Sequence, residues 1–418
     1  DCSATNLTIA VAVNGTLGST TGACTFNTGA YTLTASIVSA SNPVVVFISG
    51  NSNKGATYAK ALDVTTAISG ADIWVSNLIV RSEEASPIIA NSDLNTYDST
   101  QDATNLKFTA DTNNLSVLAG QALTVWTGKT FTPGGTVTTA ASSTSGNPDG
   151  DLTIQASATL SMATNALSIG GDYINAGTFS ESGAPHVTTF TATGTGMTLT
   201  PGTGNLDQVI FNGTGGGWTN SAAMTTAQNL TLTAGTLSMG NFAFTVTGTT
   251  GVTGTLNTTT GATGLRTFTG AVTINSGGTF DLSGQNPATL FSAGITQSSA
   301  NLMNVGSGAA QLVGNLAGAG TGGITFGNGL TINSGTTSNG YTGGVTTVTG
   351  TLTLTGNWTQ AASSSLTLAS GTPFAGAGTF SASTATNTVT YSGGAATIKD
   401  PNAATLHTYS NLVLSGSG

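Results

Sequence analysis

The sequence predicts an all-β chain wound as a parallel β-helix, a β-solenoid. Three observations carry this. Helical periodicity is nearly absent, and Leu, Lys, Glu and Arg are scarce or scattered. A short alternating strand followed by a Gly or Asn turn recurs along most of the chain. The copies resemble one another, as stacked coils do in a repeat architecture. Tandem β-sandwich domains are the alternative for so many short strands. The strand units leave little room for Greek-key crossovers, and aromatics at 6% are few for several sandwich cores.

Residues 1–120 read as an N-terminal cap with longer loops. Of the 23 charged residues, 14 lie before Thr130, in stretches such as "KGATYAKALD", "VRSEEAS" and "DLNTYDSTQD". Strands are still expected there, in "NPVVVFISG" (42–50), "DIWVSNLIV" (72–80) and "NLKFTADTNNLSVLAG" (105–120). A solenoid end exposes backbone and apolar side chains, so a polar cap is expected. Cys2 and Cys24 would pin it with a disulfide in an exported protein.

Residues 121–418 read as the solenoid. The units run "ALTVWTGKTF" (122–131), "DLTIQASATL" (151–160), "NLTLTAGTL" (229–237), "AVTINSGGTF" (271–280), "GLTINSGTT" (329–337), "TLTLTGNWT" (351–359) and "SLTLASGTPF" (365–374). Alternation puts Leu, Val and Ile on one face and Thr on the other. Gly and Asn supply turns that need positive φ.

Two longer units recur, at about 166–215 and 352–418. "AGTFSES" at 176–182 returns as "AGTFSAS" at 377–383. "GGDYIN" precedes the first and "GNWTQ" the second, each with an aromatic followed two positions later by an amide. Phe190 matches Tyr391, Met197 matches Ile398, and Val209-Ile210-Phe211 matches Leu412-Val413-Leu414. The second copy carries an insertion, "AASSSLTLASGTPFAG", of about one coil. A solenoid accepts an added coil easily; a closed sandwich does not.

The order "TLTLTGNWTQ … AGTFSAS … NTVTYSGG … TIK … YSNLVLSGSG" resembles the repeats of very large bacterial surface proteins, similar in style to filamentous-haemagglutinin and autotransporter passengers. The resemblance covers roughly 122–418. It implies β-solenoid coils and a cell-surface setting, and its motifs contain no catalytic residues.

Composition excludes several functions. Charged residues are 6%, against roughly 25% in an average globular chain. Seven basic residues and a net charge of −9 argue against nucleic acid and against a polybasic membrane patch. No apolar run reaches the roughly 20 residues of a membrane-spanning helix, so no membrane insertion is expected. A start at Asp1 is what signal cleavage would leave, which fits an extracellular location.

Candidate chemistry is sparse. His186 and His407 read as loop residues. Asp93, Asp98 and Asp102, with Asp111 beyond, form the acidic cluster. Arg81 with Glu83 and Glu84 is the mixed group. A polysaccharide-active enzyme needs clustered carboxylates with an Arg or Lys, and that reading rests on Asp98 and Asp102. Asp93, Asp98, Asp102, Asp149 and Asp151 are the candidate Ca²⁺ ligands, on turns that offer hard oxygen donors. No other cofactor is expected. Sequons stand at Asn6, Asn14, Asn114, Asn212, Asn229, Asn257 and Asn357.

The leading expectation is a non-enzymatic extracellular structural protein, a solenoid subunit polymerised head-to-tail with itself. "SNLVLSGSG" stops in mid-pattern, so a longer chain or a neighbouring molecule would cover that coil. The joint would use Leu412, Val413 and Leu414 at one end. At the other it would use the alternating strand of Asn6, Leu7, Ile9, Val11 and Val13 in "NLTIAVAVNGTL" (6–17), donated to a neighbour. The alternatives are a monomeric adhesin that binds surface glycans and, less favoured, a β-helix enzyme.

Overall fold

The computed structural model describes residues 7–25, 27–84, 86, 88–181, 186–202, 204–259, 261–283, 288–333, 335–401 and 407–416. The chain is all-β, with a single helical turn at Asn91–Leu94 among the described residues. Its strands stack in parallel as the coils of a β-solenoid. It divides into two compact units. The first comprises residues 1–207 and 213–217, and the second 208–212 and 218–418.

The first unit begins with an antiparallel sheet. Thr8–Val13 lies between Thr16–Ala23 and Pro43–Ser49, and Pro43–Ser49 pairs onward with Ala56–Lys60. The reversal after Val13 occurs at Asn14 and Gly15, with φ of 48° and 79°. Two successive positive-φ residues make the tight hairpin turn that Asn-Gly favours. The stretch 6–17, read above as one alternating strand, is therefore broken into two arms of a hairpin.

Parallel stacking then takes over. Ala56–Lys60 pairs with Asn77–Val80, followed by Ala122–Val125, Leu152–Ile154, Tyr173–Asn175 and Met197–Thr200. Leu78, Leu123, Leu152, Tyr173 and Leu199 form one inward row, each 2% exposed or less. Burying such side chains contributes about 1.5–3 kcal/mol each. Between them Thr124, Thr153 and Ile174 point the other way, as period-2 alternation requires.

The second unit repeats the scheme. Leu230, Thr250, Val272, Ile295 and Leu316 stack in one row. Phe244, Arg266, Thr289, Ala310, Leu330, Leu352 and Phe374 stack in another. Asn357 Oδ1 accepts from the Thr379 amide at 3.2 Å and its hydroxyl at 2.7 Å, 22 positions away. Asn229 holds Thr249 the same way over 20 positions. These intervals are one coil.

The repeated phrase now has a structural meaning. Trp358 and Phe380 are register partners on neighbouring coils, so the insertion makes up most of the turn between them. In the first copy Tyr173 and Phe179 meet edge-to-face with centroids 6.3 Å apart, and Tyr173 meets Phe190 at 6.2 Å. In the second copy Phe374 meets Phe380 at 4.8 Å and Tyr391 at 6.3 Å. The shared amide turns inward. Asn175 Nδ2 donates to Pro201 O at 2.8 Å, and its Oδ1 accepts from the Gly177 amide at 3.0 Å. Gln360 accepts from Trp358 Nε1 at 3.1 Å and donates to Ser364 Oγ at 2.8 Å.

Arg266 is the exception in an apolar row. It is fully buried. Its guanidinium donates to Gly240 O at 2.6 Å and to Phe242 O, holding the turn of the preceding coil. Burial lowers its pKa to about 10, so the group stays cationic at neutral pH. Arg266→Ala is expected to destabilise the second unit by about 2–4 kcal/mol, because two carbonyls and a cavity are left behind. Arg266→Met, which refills the volume without the donors, should fall between it and the parent. Denaturant midpoints followed by circular dichroism check the order.

Candidate functional site

Among the described residues, two apolar surfaces leave backbone hydrogen-bonding groups unpaired. The first is the strand Asn411–Leu414. It lies parallel on Thr388–Tyr391, with Val389 opposite Leu412 and Tyr391 opposite Leu414. Among the described residues no strand pairs with its other edge. Val389 and Tyr391 are buried, whereas Leu412, Val413 and Leu414 are 40, 41 and 63% exposed. The row that is core in every earlier coil is uncovered here.

The second surface belongs to the N-terminal sheet of the first unit. One face of that sheet carries Phe47 and Tyr58, which pack on Tyr97 and Phe108. The other face carries Val11, Val44 and Val46. Two extended segments lie over it, 31–37 and 67–73. In the first, half-buried Tyr31, Leu33, Ala35 and Ile37 alternate with exposed Thr32, Thr34 and Ser36. In the second, Ile68, Ala71 and Ile73 reach the same face. Together with the valines they line a groove of about 670 Å³.

Neither segment belongs to a ladder. Among the described residues, no backbone amide or carbonyl of 31–37 or 67–73 takes part in a backbone–backbone hydrogen bond. Side chains hold them instead. The Tyr31 hydroxyl donates to Ala71 O, Thr20 Oγ1 donates to Thr34 O at 2.6 Å, and Thr57 Oγ1 donates to Asp72 O. Arg81 donates to Gly70 O and, at 3.2 Å, to Ser69 O. Burial, and then the nearby Asp72 carboxylate, push the Tyr31 phenol up to about 12, so it remains a donor. Extended backbone with free donors and acceptors beside an apolar floor suits a further strand.

The joint residues named from sequence separate accordingly. Leu412, Val413 and Leu414 form the free edge. Leu7 and Ile9 pack with Cys24 and Ile48, and Val11 and Val13 pack in the neighbouring cluster. Thr8–Val13 is hydrogen-bonded on both sides within its own chain, so it offers no open edge. Asn6 and Cys2 lie outside the described residues.

The acidic candidates serve turns. Asp98 is buried and accepts from the Thr100 amide and hydroxyl and from the Ala110 amide. Asp93 accepts from the Ala90 amide, and Asp111 from the amides of Asn113 and Asn114. Asp102 receives the Asn105 amide and side chain. Arg81 and Lys129 pair with Glu83 at 2.5 and 3.3 Å, and Lys60 with Glu84 and Asp93 at 3.3 and 3.5 Å. His186 pairs with Glu181 at 3.1 Å and His407 with Asp400 at 2.9 Å. Among the described residues, no three His, Cys, Asp or Glu side chains are grouped as metal ligands.

Asp149, Asp151 and Asp172 tie successive coils. Asp149 accepts from the Gly120 amide at 2.6 Å, Asp151 from Asp172 at 2.7 Å and Asp172 from Thr198 at 2.7 Å. Periodicity cannot show this use of carboxylates as coil-to-coil acceptors. The Asp-x-Asp spacing around 149–151 is the sequence signal, and it suits a cation turn or a solvated loop equally.

Comparison of the chain with protein-family models, curated proteins and solved structures finds no match.

Burial, reinforced by the charges of Asp172 and Asp149, raises the Asp151 pKa to about 7, against the lowering effect of the Asp172 amide. A carboxyl with a folded pKa above its unfolded one stabilises the fold below the unfolded value near 3.8, and that stability is lost as pH rises through about 7. The first unit should therefore melt at a lower temperature at pH 8 than at pH 5. Asp151→Asn should flatten that dependence, as scanning calorimetry at the two pH values would show.

Proposed function

We propose that this chain is an extracellular structural protein, a β-solenoid subunit of a surface filament or sheath that polymerises head-to-tail. The observation that carries the reading is segment 31–37, which lies beside an apolar groove and, among the described residues, takes part in no backbone–backbone hydrogen bond. A parallel ladder such as the one that reaches Leu412, Val413 and Leu414 is a template for a further strand. The segment 31–37 of the next copy, extended and without backbone partners, supplies the complementary groups. Contact between unlike surfaces of identical chains is heterologous, and it propagates when the operation does not close. The resemblance to repetitive bacterial surface proteins and the low charge support the same setting, as does an all-β fold without a long apolar helix among the described residues.

One observation favours an adhesin instead. Trp74 is 40% exposed and meets Trp126 edge-to-face at 5.5 Å, with the Arg81 guanidinium 5.8 Å from the Trp126 ring. Exposed indoles of this kind stack on sugar rings. A monomeric chain that binds a glycan array and loses binding in Trp74→Ala would replace the filament reading.

Electron microscopy of native material tests the proposal. Long fibres of uniform repeat are expected. The double substitution Leu412→Lys, Leu414→Lys places charge on the edge and should abolish fibres while leaving the circular dichroism of the monomer unchanged. Fibres that persist in that variant would exclude this edge as the joint.

The extracellular setting also implies the Cys2–Cys24 disulfide proposed for the N-terminal region. Cys24 is 6% exposed. Alkylation of the denatured native protein without reductant should leave both cysteines unlabelled, and labelling after reduction should recover two.

A further inference from the structure

Two loops of the first unit meet through a lysine and an asparagine. Lys54 stands in the loop between Pro43–Ser49 and Ala56–Lys60. Asn105 precedes Phe108–Ala110, 51 positions further on. Lys54 Nζ is 3.2 Å from Asn105 Oδ1. The Gly50 amide donates to the same oxygen at 2.8 Å. The other end of the carboxamide is also held. Asn105 Nδ2 donates to both oxygens of Asp102, each at 3.1 Å.

All three side chains are half-buried. Leu106, next to Asn105, is buried, and Tyr97 nearby is stacked on Phe47 at 6.1 Å. The ion pairs of this region go to Lys60, Arg81 and Lys129. Among the described residues, none reaches Lys54, whose ammonium makes one hydrogen bond, to the amide oxygen. A lysine held against a side-chain carbonyl rather than a carboxylate is a nucleophile beside an electrophile. The Gly50 N–H sits where it would stabilise negative charge developing on Oδ1. The Asp102 carboxylate sits at the nitrogen that would leave.

We infer that Lys54 and Asn105 form an intramolecular isopeptide cross-link, with Asp102 transferring the proton. A proton passes from the Lys54 ammonium through water to Asp102, whose carboxylate stands at Nδ2. The free amine attacks Asn105 Cγ, and the Nζ–Cγ bond forms. The Cγ–Nδ2 bond breaks, and Nδ2 leaves with the proton returned by Asp102 and the second proton of Nζ. The ammonium side chain and the carboxamide become a secondary amide and one ammonium ion. No oxidant, reductant or cofactor enters. Pre-organisation of the three groups replaces an encounter in solution. The bond joins the loop after Pro43–Ser49 to the loop before Phe108–Ala110 and restricts the unfolded chain as a long-range cross-link does.

The inference is independent of assembly, and mass spectrometry of the full-length protein tests it. After reduction and denaturation, the folded-purified chain should be lighter than its sequence by one ammonia. Digestion should give a branched peptide joining Lys54 to Asn105. A succinimide at Asn14–Gly15 would cost the same mass, so the location decides. Lys54→Arg should restore the full mass and the linear peptides, and Asp102→Ala should do so in a chain that keeps Lys54. Recovery of Lys54 and Asn105 on separate linear peptides from natively folded protein would overturn the inference, whatever the intact mass.

Discussion

The coil-to-coil backbone ladder is the constraint on which the rest depends. Every turn must return so that its amides meet the carbonyls of the turn before, after 19–24 positions in the second unit and after as many as 45 in the first. Neighbouring strands then lie about 4.8 Å apart, which leaves no room for side chains at the corners. A Cβ on Gly170 would stand 1.8 Å from Ala140 O, and one on Gly376, at φ 83°, would stand 2.2 Å from Leu354 O. The abundance of Gly follows from this spacing. So does the abundance of Thr. Its hydroxyl reaches one coil over, as Thr355 Oγ1 does to Ile332 O at 2.7 Å and Thr351 Oγ1 to Thr372 O at 2.9 Å.

The same ladder explains the polar groups inside. Where a coil turns a corner its backbone leaves the ladder, and buried carbonyls and amides need partners. Asn175, Gln297, Asn339, Gln360 and Asn387 occupy such positions and are buried. Asn339 donates to Gln360 Oε1 at 3.2 Å, and Asn387 donates to Gln360 O at 3.1 Å. An amide offers both a donor and an acceptor without charge. Arg266 does the donating half of this work with a cation, for two carbonyls of one turn. Its delocalised charge is more weakly hydrated than an ammonium, which makes guanidinium the cation best suited to a buried site.

The regular coils were legible from sequence because alternation and turn residues are local properties. "NLTLTAGTL" and "AVTINSGGTF" announce an inward row and a turn, and the structure has both. The surfaces that leave backbone unpaired were less so. "YTLTASIV" (31–38) alternates as well as any coil strand, yet its backbone joins no ladder, and pairing is a property of neighbours rather than of the segment. Asn14-Gly15 carries a turn signal, but the apolar alternation on either side of it continues as it would in a single strand. The role of the acidic cluster was not legible, for a physical reason. Carboxylates on turns suit a cation, but they suit backbone amides equally, and sequence does not show which arrives first. Lys54 and Asn105 are 51 positions apart, and only the fold brings them together.

The two incomplete surfaces differ in chemistry, and the difference bears on which would pair. Natural sheets blunt an edge with charge, proline or a bulge. The strand Thr16–Ala23 is paired on one side and follows this rule. Its register against Thr8–Val13 slips between Ala10 and Ala12, and its sequence TLGSTTGA offers no apolar row. Asn411–Leu414 has none of these devices, and Leu414 is the most exposed of its three apolar residues. A strand added beside it must place apolar side chains over Leu412 and Leu414 at a period of two, and polar ones over Val413 and Asn411. Thr16–Ala23 cannot do so. Segment 31–37 can, because Leu33, Ala35 and Ile37 fall on one side and Thr32, Thr34 and Ser36 on the other. Complementarity of pattern, more than exposure alone, is what the proposed joint rests on.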